Sequence, residues 1–205
     1  MSEAAPAIDL LTLMADVETD IECRRYLEEL RWRDGVICPR CRGKSISRIQ
    51  KRGQFDCDKC RYQFSVTAGT LFHDSHLPLP KWFVAVYLLC ESKKGMSANQ
   101  LRRILKVSYK TAWYLCHRIR AAMAEANHLR GDVHTSAVEN GMSPFKRSIV
   151  GSFHQVSAKH IDRYFDEFEW RVNNRKNRYA FRDTMLRLIG AQALPYKGLT
   201  RTASP

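Results

Sequence analysis

Four cysteines carry the clearest chemistry in this chain. They read Cys38-Pro39-Arg40-Cys41, then fifteen residues, then Cys57-Asp58-Lys59-Cys60. A two-residue insert lets both thiolates of one tight turn face the same ion at about 2.3 Å, and a second such turn completes a tetrahedron. With every position taken by sulfur, no coordinated water is left to activate, so the spacing implies a structural Zn2+ rather than a catalytic one. The intervening residues suit that reading. Residues 45–50 and 54–57 alternate polar and apolar around a Lys51-Arg52-Gly53 turn, and residues 62–66 offer a third strand. A zinc ribbon is therefore expected over residues 36–67. His73 and His76 follow in a connector with two prolines and a glycine and read as loop residues. Cys23, Cys90 and Cys116 sit in helix-patterned apolar stretches and read as buried thiols.

A second constellation lies downstream. Ser97 followed by Gln100 has the spacing of a capping box and opens a helix whose apolar face is read as Leu101, Ile104 and Leu105. Lys106-Val107 turns the chain, and Ser108 opens a further helix with Ala112, Leu115, Cys116, Ile119 and Met123 on one side. An apolar helix over residues 81–91 precedes them. Helix, short turn, helix is the helix-turn-helix plan, in which the first turn of the second helix meets base edges and flanking cations meet phosphates. From Leu101 to Arg120 there are six Lys or Arg residues and no Asp or Glu. Tyr109, Lys110 and Thr111 are the base-edge candidates. Arg102, Arg103, Lys106, Arg118 and Arg120 are the phosphate candidates. The whole chain of 205 residues carries a formal net charge of +13, which favours a polyanionic partner, double-stranded DNA first among them.

The elements that must position these groups are mostly helical. Residues 8–35 suggest two helices, the second from about 20 to 32, that pack on the ribbon. Residues 78–126 hold the helix-turn-helix. Residues 134–190 hold a carboxy-terminal block: an amphipathic helix with Ile161, Tyr164, Phe165, Phe168 and Val172 as its apolar stripe, then a last helix over about 179–189. The tail to Pro205 reads as loose. The fold class is α+β, mainly helical, with the small ribbon as its β part. No run of 18 apolar residues and no basic-plus-apolar leader appears, so no membrane partner is expected, and free thiols suit a reducing cytoplasm.

Beyond the motifs themselves, the chain resembles bacterial insertion-sequence transposases built from a zinc ribbon, a helix-turn-helix and a ribonuclease-H-like domain with an acidic triad. One block of resemblance runs from about residue 10 to 123. It includes the Cys38-Pro39-Arg40-Cys41 knuckle, Gly69-Thr70-Leu71-Phe72-His73-Asp74, Lys81-Trp82-Phe83, Ser92-Lys93-Lys94-Gly95 and Lys110-Thr111-Ala112-Trp113. A second runs from about 134 to 189, with Val138-Glu139, Lys146-Arg147, Gly151-Ser152-Phe153-His154, Tyr164-Phe165-Asp166-Glu167-Phe168 and Asn173-Asn174-Arg175-Lys176. The resemblance matches Glu139 to the third acidic residue and Lys146 to the lysine that follows it. It also implies an earlier pair of strand-borne aspartates, and this sequence has none between the two blocks. Strand transfer of this class uses two divalent ions held about 3.5–4 Å apart by converging carboxylates, so Mg2+ is not expected to bind productively here. The expectation is an internally deleted, truncated derivative. It would bind the terminal inverted repeats of its element, pair with full-length transposase or with itself, and have no catalytic core. The alternatives are an active transposase complemented in trans and a recruited transcriptional regulator.

Overall fold

The computed structural model describes residues 12–13, 15, 17–124, 145–153 and 156–200. Packing divides the chain into two compact units, one of residues 9–83 with 185–205 and one centred on residues 84–184. Residues 84–124, with the helix-turn-helix turn, and residues 145–184 of the carboxy-terminal block fall in one unit.

In the first unit, helix α1 spans Asp20–Arg31 and starts at Thr19. Its side chain accepts from Glu22 N while the Glu22 carboxylate accepts from Thr19 N, a reciprocal box that satisfies two orphan amides. Cys23 and Leu27 face inward. The ribbon is a three-stranded antiparallel sheet in the order β1 (Ile46–Ile49), β2 (Gln54–Cys57), β3 (Gln63–Phe64), with Ile46 opposite Cys57 and Phe55 opposite Phe64. The expected third strand is present but only two residues long. Gly53 closes the hairpin at φ 58°, a left-handed conformation that glycine adopts at little cost. Trp32, just after α1, sets its ring edge-on to Phe55 and Phe64 at 5.1 and 6.0 Å. The Arg31 guanidinium donates to the carbonyls of Val66 and Ala68. Arg48 of β1 also pairs with Glu28 at 2.9 Å, and Arg24 donates to the Arg52 carbonyl at 3.3 Å, so helix and ribbon are joined by aromatic and charged contacts together. A short helix, Tyr196–Thr200, buries Leu199, so this part of the expected loose tail is ordered.

Helix α2 spans Leu79–Glu91. In the second unit follow α3 (Ala98–Leu105), α4 (Tyr109–Ala124) and α5 (Ile161–Asn174), with α6 running Ala180–Gly190 and the carboxy-terminal turn of helix being α7. The Ser97–Gln100 capping box is formed as the spacing predicts. Two apolar faces differ from expectation. Ile104 is 51% exposed, and α3 buries Ala98, Leu101 and Leu105 instead. On α5 the buried line is Tyr164, Glu167, Trp170 and Arg171, while Ile161 and Val172 are 40% and 45% exposed. Phe165 and Phe168 flank that line and pack on Phe145 at 5.3 and 5.5 Å between ring centres.

A charged residue causes the rotation of α5. Glu167 is fully buried and accepts from Arg120 Nε of α4 at 2.5 Å and from Arg171 Nη1 on its own helix. Arg120 Nη2 reaches the Met96 carbonyl at 3.3 Å, and its guanidinium lies 3.9 Å over the Tyr164 ring. An apolar-stripe count treats positions 167 and 171 as surface, whereas this pairing turns them inward. Gly95 adapts to the same cluster. Its φ is +80°, and a Cβ there would run into the Arg171 guanidinium and lie 2.6 Å from Phe153 Cζ.

Beside Arg120, Glu167 and Arg171, His117 of α4 is buried against Trp113, His160 and Tyr164 at 4.2, 4.9 and 5.7 Å between ring centres. Neither of its ring nitrogens has a hydrogen-bond partner among the described residues. Burial, reinforced by Arg120, His160 and Arg163, pushes its pKa down to about 2.

Two outcomes are expected. Replacing Glu167 with Ala strands two buried guanidinium groups and should cost roughly 3–5 kcal/mol in urea denaturation of the full chain. For His117, the unfolded chain takes up a proton below its ordinary pKa and the folded chain does not. Stability should therefore be intact above about pH 6.5 and fall by up to ~1.4 kcal/mol per pH unit below it. His117→Phe, which keeps the ring stack, should reduce that slope, as measured by denaturation between pH 7 and pH 5.

Candidate metal centre and nucleic-acid interface

The two cysteine pairs converge. All four Sγ atoms lie within 4.8 Å of one another, with Cys38–Cys60 at 3.7 Å and Cys41–Cys57 at 3.5 Å. A tetrahedron with sulfur about 2.3 Å from zinc has edges of about 3.8 Å, so the cluster fits Zn2+ with little movement. Each knuckle is the same backbone device. Arg42 N donates to Cys38 O at 2.9 Å and Arg61 N to Cys57 O at 2.7 Å, and both arginines take a left-handed conformation, φ 58° and 54°. That conformation is unusual for a side chain larger than Asn, and the spacing alone does not reveal it. Gly43 leaves room for the thiolates: a Cβ there would stand 3.3 Å from Cys41 Sγ and 3.5 Å from Cys57 Sγ. Behind the cluster, Phe55, Phe64 and Ala68 complete a small core with Trp32 and Tyr62. Among the described residues these cysteines are the one group of three or more potential ligands close enough to share a metal. His73 pairs with Asp74 at 3.6 Å, as suits a loop histidine.

The helix-turn-helix presents its cations unevenly. Lys106 ends α3 in a left-handed conformation, φ 51°, and Val107 N closes the turn on Arg102 O at 3.2 Å. Ser108 caps α4 by accepting from Thr111 N at 3.1 Å, and its hydroxyl also meets Thr111 Oγ1 at 2.8 Å. Arg102, Arg103, Lys106, Tyr109 and Lys110 are exposed around this turn, and Arg102 Nε is steadied by Asn99 Oδ1 at 3.0 Å. Arg118 and Arg120 do not join them. They are 3% and 1% exposed, Arg118 lying 4.3 Å over the Tyr114 ring and Arg120 held by Glu167. Their place in the phosphate-contact set is corrected: further along α4, they lie on its packed face. The signal available in the sequence is the helical spacing of Arg120 with Cys116 and Met123, both apolar-face positions.

Of the resemblance-matched pair, Lys146 is exposed on a helical turn at residues 145–148, and Glu139 lies outside the described residues.

Native mass spectrometry of the full chain should show one zinc per molecule. Chelation, or Cys41→Ser, should unfold the ribbon while the helical circular dichroism of residues 84–184 persists. Because the ligands bind as thiolates, zinc should be released as the pH falls, protons displacing metal.

Comparison with known proteins accords with this anatomy. A model described as a transposase zinc-ribbon domain matches residues 18–63, and one described as an ISXO2-like transposase domain matches residues 109–173. An uncharacterized protein in transposable element ISH50 of Halobacterium salinarum is 37% identical over 127 residues, 58% of this chain and 42% of that one. The chain thus spans less than half the length of this relative. No solved structure matches. A four-thiol ribbon in the residues of the first model and helix α4 opening the second are thus what this chain shares with insertion-sequence transposases that carry a zinc ribbon.

Proposed function

We propose that this chain is a DNA-binding transposase derivative that grips the terminal inverted repeats of its element and does not cut them. The observation that carries the reading is the capped α3–α4 turn, which exposes Arg102, Arg103, Lys106, Tyr109 and Lys110 with no acidic side chain in either helix. In a major groove, the first turn of α4 places Tyr109, Lys110 and Thr111 at base edges. The Thr111 hydroxyl is engaged with Ser108, so its contribution is its methyl group, which suits a thymine methyl. Arg102, Arg103 and Lys106 then neutralise phosphates on either side.

The absence of cutting rests on the sequence. Two-metal strand transfer needs several carboxylates converging on paired ions. The stretch between the two family blocks offers no aspartate pair to join Glu139, which is the basis for an internal deletion of the catalytic core. A chain that occupies the ends without cleaving them competes with full-length transposase, or pairs with it or with a second copy, and so dampens transposition.

Gel shifts on duplexes carrying candidate inverted repeats test this. Arg103→Gln with Lys110→Gln should weaken binding at least tenfold and lower the slope of log K against log salt by roughly 0.9 for each phosphate no longer neutralised. With Mg2+ present, the same duplexes should stay unnicked. Mg2+-dependent nicking by the purified chain would refute the loss of the core, and preference for a host promoter over element ends would replace the reading with that of a regulator.

A further inference from the structure

The motif Asn173-Asn174-Arg175-Lys176 has no part in the helix-turn-helix, yet in the folded chain its last three residues line a cleft of about 570 Å3. The cleft lies wholly within the unit of residues 84–184. Lys93, after α2, contributes from one side, and Arg171, Arg175, Lys176 and Arg178 from the end of α5 and the turn beyond it, with Glu91 as the acidic residue lining it. Lys93, Arg175, Lys176 and Arg178 are exposed. Arg171 is 8% exposed. Its Nη1 is taken by Glu167, while its Nε and Nη2 have no hydrogen-bond partner among the described residues, and neither has the indole N–H of Trp170, which also lines the cleft and is 1% exposed.

These unpartnered buried atoms are all donors. A buried donor left unpaired costs free energy, and the group that relieves several at once is an anion with multiple acceptor oxygens. The end of α5 would oppose an anion through its free carbonyls, but Asn174 Nδ2 covers Trp170 O at 2.8 Å. Four exposed cations around a lining that includes Arg171 and Trp170 suit a chain of phosphates better than a single small ion.

We infer that this cleft is a second nucleic-acid site, taking backbone phosphates of duplex DNA through Lys93, Arg171, Arg175, Lys176 and Arg178. This rests on the DNA-binding reading above and adds to it. Phosphate contacts of this kind carry no sequence information, so the cleft would extend the bound length and fix register while α4 reads bases.

The test uses the full chain and a duplex longer than the helix-turn-helix covers. Compared are the wild type, a cleft variant with Lys93, Arg175, Lys176 and Arg178 each changed to Gln, and a turn variant with Arg103→Gln and Lys110→Gln. All changed side chains are exposed, and circular dichroism and zinc content check the fold. The cleft variant should lower the salt slope by roughly 2–4, from ~0.9 for each phosphate it ceases to neutralise. At saturating protein its hydroxyl-radical footprint should be shorter, which the mere loss of net charge does not cause. An unchanged footprint in the cleft variant, with binding lost in the turn variant, overturns the inference and leaves the DNA-binding reading standing. If neither variant alters binding, or the wild type binds no DNA, that reading falls and the inference with it. Inorganic phosphate at matched ionic strength separates the sources: a saturable tryptophan fluorescence change, lost in the cleft variant while the footprint is unaltered, marks a free-anion pocket and also overturns the inference.

Discussion

One buried carboxylate organises the helical part of this protein. Glu167 is enclosed between Arg120 of α4 and Arg171 of its own helix, all three almost out of reach of water. Removing such charges from solvent is expensive, and the arrangement is stable only while each has its partner. Burial here is compensated by geometry: Arg120 is also held by the Met96 carbonyl and by the Tyr164 ring, and the backbone at Gly95 yields space that no side chain permits. Whether a hydrophobic trio would be more stable is secondary. A charged trio can be satisfied in one rotation of α5, so it specifies which face of that helix meets α4.

That constraint bears on how the carboxy-terminal block is held. Helix α5 packs on α4, with Phe145, Phe153 and Tyr164 closing a small aromatic cluster beside the Arg120–Glu167–Arg171 trio. The carboxy-terminal block thereby becomes a brace for the helix-turn-helix. The ribbon has its own means of holding together. Its sheet is too small for a self-sufficient core, and four thiols around one ion replace the missing apolar area.

Much of this is legible in the sequence where a rule is local. The CxxC pairs, the turn ending at Gly53 and the Ser97–Gln100 box each depend on a few adjacent residues, and the fold realises all three. Longer-range features are not legible. Arg118 and Arg120 look like surface cations because a charge count ignores which helical face holds a partner, and for Arg120 that partner is 47 residues away in sequence. The apolar-stripe rule sets the inner face of α5 one step off for the same reason. Ile104 counts as core by spacing, but the packed line of α3 runs through Ala98, Leu101 and Leu105 and leaves it outside. Left-handed Arg42 and Arg61 follow from the knuckle geometry and have no signature in residue type.

The central claim is that this chain is a braced DNA-binding unit whose grip comes from the turn between α3 and α4. Amide hydrogen exchange on the full chain, with and without an element-end duplex, addresses it directly. The account predicts slow exchange through the buried parts of α4 and α5 before DNA is added, and new protection at residues 102–111 once it is bound. Rapid exchange along α5 in the free protein, or DNA-induced protection that leaves residues 102–111 unaffected, would contradict it.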